Sequence, residues 1–273
     1  MHKPTCMWRF TLSIAAVFLI LSSTGCSGLY IDQANSSLLN GMSYTTLGQG
    51  MPTVVFQSGL GDNRHVWQQV LPVIARDHRV FAYDRPGYGA SQWTDRARDP
   101  CTIAEEERKL LREAGFQPPY LLVGHSLGGL YQFAFAKLHP DEVAGIVLVD
   151  ATLPMHLQLM QSEAPNSFAV MRVIRNTLFS AVEKRELDES NLCMDRLHLE
   201  QALTVPARVL VRTEFKLEES GDFSTMTLRH QNDWLSLVGV DHIQAVVHSG
   251  HYIQKDQPQA VIDAINMVVS RYA

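Results

Sequence analysis

The chain has 273 residues, of which 46% are hydrophobic, 19% charged and 8% aromatic. That is enough to bury a full core in a single domain. A formal net charge of −5 without a long run of like charge argues against a nucleic-acid surface, and no repeat or low-complexity block interrupts the sequence.

The first 26 residues read as a targeting segment. His2, Lys3 and Arg9 make a basic start, Phe10 to Leu21 form a short apolar stretch, and Ser22-Ser23-Thr24-Gly25 lead into Cys26. The stretch is shorter than the ~20 residues a helix needs to cross a bilayer, so a retained anchor is the weaker reading. Gly25-Cys26 resembles a bacterial lipobox, departing from it at Ser23, where an aliphatic residue is usual. The resemblance implies lipidation of Cys26, a tether over residues 27–42, a folded domain over 43–273, and an exported protein held at a membrane by its lipid. Cleavage to a soluble periplasmic or secreted form is the alternative.

Short runs rich in Val, Leu and Ile at 53–57, 79–84, 120–124, 145–149, 207–212 and 242–248 suit strands buried on both faces. The first ends in Ser58-Gly59-Leu60-Gly61-Asp62, a Gly-x-Gly turn whose backbone N–H groups can face a developing negative charge; the N–H of Leu60 is nominated. After the second comes a sharp turn, Asp84-Arg85-Pro86-Gly87-Tyr88-Gly89-Ala90-Ser91, in which Asp84 and Arg85 are read as loop-fixing through charge-assisted bonds.

The third run leads through Gly124-His125-Ser126-Leu127-Gly128-Gly129 into the helix-patterned Leu130 to Ala136. A Gly-x-Ser-x-Gly turn between strand and helix is a nucleophile elbow, with glycines where a side chain would collide with backbone. Ser126 is the candidate nucleophile, and the N–H of Leu127 the second oxyanion donor. Near the C-terminus, Ser249-Gly250-His251-Tyr252 follows a strand-like run. A base that takes the serine proton and returns it to the leaving group needs such a loop tip, so His251 is preferred over His248 and His242, which fall in or beside the strand.

Taken in order, these motifs resemble an α/β-hydrolase over residues 40–273, with Ser58 standing where many relatives carry histidine. The resemblance implies an α/β fold, a mostly parallel sheet with helices on both faces, and a site at the carboxyl ends of the strands. It also implies a serine hydrolase that cleaves carboxylic esters or related acyl bonds, with a small-molecule substrate and no cofactor. Residues 153–203 resemble the helical cap of such enzymes. Met155, Leu157, Leu159, Met160, Phe168, Val170, Met171 and Val173 would give it an apolar inner face, although plain helix packing explains the same residues. The lone histidines His156 and His198 are read as surface or packing residues.

Three carboxylates compete to orient His251. Glu214 and Glu218 lie in the loop after 207–212, the usual place, but without the Gly-x-x-Asp pattern of many relatives. Asp150 ends the run 145–149 and is preferred. Cys101 and Cys193 are either a disulfide or two separate thiols, and no Cys/His cluster has zinc spacing, so no metal is expected. An acyltransferase, lyase or perhydrolase on the same fold, or a non-catalytic surface binding protein, are the alternative functions.

Overall fold

A computed structural model describes residues 36–272, so the targeting segment and Cys26 lie outside the described residues. Eight strands form one sheet: β1 (Ser36–Leu39), β2 (Met42–Leu47), β3 (Thr53–Gln57), β4 (Val80–Tyr83), β5 (Tyr120–His125), β6 (Val143–Val149), β7 (Ala207–Arg212) and β8 (Gln244–Val246). Their order across the sheet is β1-β2-β4-β3-β5-β6-β7-β8, antiparallel where β2 meets β1 and β4, and parallel from β4 to β8. This is the α/β-hydrolase architecture.

The central strands are buried on both faces because alternate residues enter different cores. Val55, Leu122, Ile146, Leu148 and Val209 pack on one side against α2 (Pro100–Glu113), α3 (Leu127–Leu138) and α8 (Asp233–Val238). Their neighbours Val54, Leu121, Val123, Val147 and Leu210 face α1 (Leu71–Ile74), α9 (Ile253–Asp256) and α10 (Pro258–Val269). A two-sided core explains runs that are apolar throughout.

Strand order reverses direction at β3, since β4 lies on one side of it and β5 on the other. Clefts form at the carboxyl ends of strands at such a switch point. The loop after β3 and the turn after β5 therefore meet there.

Between β6 and β7 the chain forms α4 (His156–Glu163), α5 (Pro165–Thr177) and α6 (Ala181–Asp188), which cover the cleft as a cap. α6 starts at a capping box in which Ser180 and Glu183 satisfy each other's backbone donors. A disulfide joins Cys101 at the start of α2 to Cys193 behind α6, with the Cα atoms 6.2 Å apart.

Three details differ from the sequence reading. β1 lies inside the stretch assigned to a tether and pairs with β2, which begins at its end. The last strand runs only from Gln244 to Val246. Residues 213–240, for which the sequence offered no element, hold α7 (Asp222–His230) and α8. Among the described residues, no helix is long and apolar enough to cross a membrane.

Candidate active site

Ser126 occupies the tip of the β5–α3 turn with φ 54° and ψ −126°, a conformation an L-residue adopts only under constraint. Its backbone is held on both sides: the N–H donates to Val149 O at 3.1 Å, and its carbonyl accepts from Gly129 and Thr152 at 2.9 Å each. Two glycines make the turn sterically feasible. A Cβ on Gly124 would lie 2.5 Å from Gly128 O, and one on Gly128 would lie 2.4 Å from Ser58 O.

His251 lies in the loop between β8 and α9, and its Nδ1 is 2.6 Å from Asp150 Oδ2. Asp150 follows β6 with φ 44°, and its N–H donates to Leu210 O at 2.8 Å. Glu214 and Glu218 are exposed; the nearer histidine to Glu214 is His248, at 3.6 Å. Asp150 is thus the carboxylate against His251.

Arg212, at the end of β7, was not singled out in the sequence. Its N–H and Nε donate to Asp150 at 3.2 and 2.7 Å, its Nη1 donates to Glu219 at 2.5 Å, and its guanidinium lies over the rings of Phe215 and Phe223. Burial would raise the Asp150 carboxyl, but the His251 bond and the Arg212 charge outweigh it and hold the group down at about 2. Nη2 of Arg212 also comes within 2.8 Å of His251 Nδ1. A guanidinium can only donate, so Nδ1 cannot serve both partners. With its proton on Nδ1 toward Asp150, His251 leaves Nε2 as the acceptor.

The loop after β3 is fastened from below. Arg85 donates to the carbonyls of Ser58 and Gly59, to Gln57 Oε1 at 3.1 Å, and to Glu186 of α6 at 2.8 Å. Tyr88 and Arg98 reach the same Glu186 carboxylate at 2.9 and 3.1 Å, and all of these charges are buried. Asp84 binds Arg64 and the N–H of Ala90. Arg85 therefore fixes a wider neighbourhood than its own turn. Among the described residues, the N–H groups of Leu60 and Leu127 donate to no other protein group.

Ser126, His251, Leu60 and Leu127 line one open cleft, roofed by Leu157, Met160 and Met171 of the cap and by Phe223 and Thr227 of α7. Val170 and Val173, expected on the inner face, point outward instead, at 58% and 62% exposure. His156, read as a surface or packing residue, lines the cleft.

Behind the site, His125 is fully buried, and its Nε2 lies 2.9 Å from His251 O. A carbonyl accepts, so Nε2 carries the proton. Nδ1 then faces Asp62 Oδ2 at 3.8 Å. Burial first, and then the His251 charge, push the His125 imidazole well below its usual range.

Comparison with known proteins agrees with this fold. Residues 52–214 match the alpha/beta hydrolase fold family. The chain belongs to that family. A pimeloyl-[acyl-carrier protein] methyl ester esterase of Vibrio atlanticus is 33% identical over 160 residues, covering 59% of this chain and 57% of that one. An esterase of Mycobacterium tuberculosis is 37% identical over 112 residues, covering 41% and 36%. These matches span about half or less of each relative. Among solved structures, the epoxide hydrolase CorEH superposes with a TM-score of 0.62 at 22% identity, over 88% of this chain and 99% of that one, a likeness of fold.

Proposed function

We propose that this α/β-hydrolase is an exported serine hydrolase that cleaves carboxylic esters through an acyl-enzyme. The observation that carries the reading is the convergence in one cleft of Ser126 on its elbow, His251 bonded to Asp150, and the two unbonded amides of Leu60 and Leu127. Similarity to esterases points the same way.

In this reading Ser126 Oγ attacks the ester carbonyl carbon as its proton passes to His251 Nε2. Asp150 stabilises the resulting imidazolium without taking its proton, and the Leu60 and Leu127 N–H groups hold the oxyanion. The tetrahedral adduct collapses, the C–O bond to the alcohol breaks, and His251 returns the proton to the departing oxygen. Water then repeats the sequence on the acyl-enzyme, releasing the acid and restoring Ser126. Structural likeness to an epoxide hydrolase does not extend to that chemistry. An alkyl-enzyme ester needs a carboxylate on the elbow, and Ser126 cannot supply one.

Purified residues 27–273 should hydrolyse p-nitrophenyl esters and take up a fluorophosphonate probe, and Ser126→Ala should abolish both. Labelling that survives Ser126→Ala would remove the nucleophile assignment. A folded protein with neither turnover nor labelling would favour a binding role.

A further inference from the structure

Most polar side chains in the cleft already have partners. Arg212 is taken up by Asp150 and Glu219, Glu219 also accepts from the Lys216 N–H at 3.0 Å, and Ser190 donates to Leu187 O at 2.8 Å. His156 is different. It opens α4 directly after Met155, whose φ of 62° turns the chain over the site, and neither ring nitrogen has a hydrogen-bond partner among the described residues. Its ring stands edge-on to Phe223 of α7, with centroids 6.3 Å apart, on the wall between the main cleft and a smaller apolar chamber lined by Leu153, Leu159, Met226 and Trp234. Thr227 lies on the same wall, and its Oγ1 is buried without a partner.

The buried Thr227 hydroxyl is costly to leave without a partner, and the half-buried His156 beside it offers unbonded ring nitrogens to whatever enters the cleft. The ring is also held neutral: burial, then Arg212 and His251, bring its pKa down to about 4. A neutral imidazole offers one donor and one acceptor, which suits a hydroxyl or a carbonyl oxygen. Arg212, the cation among the described residues lining this cleft, already carries two carboxylates, which disfavours an anionic substituent.

We propose that His156 is a specificity residue that hydrogen-bonds an uncharged oxygen substituent, a hydroxyl or carbonyl, near the scissile bond, so that the preferred substrates are oxygenated esters rather than plain alkyl esters. This rests on the ester-hydrolase reading above. It assigns a substrate class to that cleft.

The test compares kcat/KM within two matched pairs: p-nitrophenyl butyrate with p-nitrophenyl β-hydroxybutyrate for the acyl side, and propyl butyrate with glycol monobutyrate for the alcohol side. Wild type should prefer the oxygenated member of one pair by about tenfold or more, the scale of discrimination by a site built to pair a substrate hydroxyl. The pair that shows the preference identifies which side carries the substituent. His156→Phe, which keeps a flat ring without hydrogen-bonding atoms, should bring that ratio to near unity, and His156→Gln should recover part of it. Fluorophosphonate labelling of Ser126 and the melting temperature report that each variant is folded, with His156→Leu as the substitute should the phenylalanine variant fail to fold. An unchanged ratio in the folded apolar variant, or no preference by wild type in either pair, overturns the proposal. Wild type that neither turns over esters nor takes the label overturns the ester-hydrolase reading itself, and the proposal with it.

Discussion

The guanidinium of Arg85 holds the Gly59 carbonyl at 2.8 Å with the same nitrogen that binds Glu186 at 2.8 Å, so the loop after β3 and the cap helix α6 share one buried charge. Glu186→Gln would leave Arg85 and Arg98 without their common carboxylate. Breaking a buried pair of this kind costs on the order of 3–5 kcal/mol. We expect a lower melting temperature, and at temperatures where the variant is folded, a slower fluorophosphonate reaction at Ser126 because Ser58 and Gly59 are less well placed. Stopped labelling assays check this, and an unaltered labelling rate would separate the cap from the oxyanion loop.

Asp150→Asn should leave a folded protein with kcat lowered by about 10³–10⁴-fold, since an amide in place of the carboxylate favours the wrong imidazole tautomer. Glu214→Gln and Glu218→Gln, both changes on exposed side chains, should alter kcat little. Steady-state kinetics on the three variants decides between the strand ends. Near-normal turnover in the Asp150 variant would move the acid to the later loop.

Glu107 gives a pH prediction. It is buried in α2 and accepts from Gln132 Nε2 at 3.0 Å, while among the described residues Glu107 Oε2 and Gln132 Oε1 make no hydrogen bond. Burial raises its pKa from 4.5 to about 8, so the folded protein keeps the proton that the unfolded chain releases. The stabilisation linked to that proton is complete below 4.5 and is lost as the pH rises through 8, a difference on the order of a few kcal/mol. Glu107→Gln should therefore gain stability over wild type from about pH 5 upward and level off above about pH 8. Asp150 acts in the opposite sense: with its pKa lowered from 3.8 to about 2, its contribution is present above 3.8 and lost as the pH falls toward 2. Urea unfolding across pH 2 to 9 measures both.

The Cys101–Cys193 bridge spans 92 residues, a closure that removes about 4–5 kcal/mol of unfolded-state entropy in the chain-entropy model. Reductant should lower the melting temperature of wild type and leave Cys101→Ala/Cys193→Ala unaffected. Calorimetry with and without reductant is sufficient, and equal sensitivity of the two proteins would place the effect elsewhere.

For the full chain, Cys26→Ser in a bacterial host should abolish fatty-acid incorporation and shift the protein out of the membrane fraction. Incorporation that persists in the variant would remove the lipidation reading.

Much of the frame was legible because local rules dictate it. Gly124 and Gly128 announced the elbow through the backbone they must let pass, and the all-apolar strands announced a sheet covered on both faces. What stayed hidden depends on contacts between distant segments. Arg212 looked like the polar end of a strand until Asp150, 62 residues earlier, met its Nε. His156 carries no local pattern, and its position follows from α4 and α7 closing over the cleft. Val170 and Val173 fit a helical stripe on either face, and periodicity alone could not say which face turned inward.

The disulfide ring also governs what proteolysis would do to the fold. It encloses both Ser126 and Asp150 together with all three cap helices, while His251 enters from outside it. A cut in the exposed α5, at Arg172 for example, would open the ring without releasing a fragment. The clipped enzyme would stay covalently whole, and only reduction would let its two halves part.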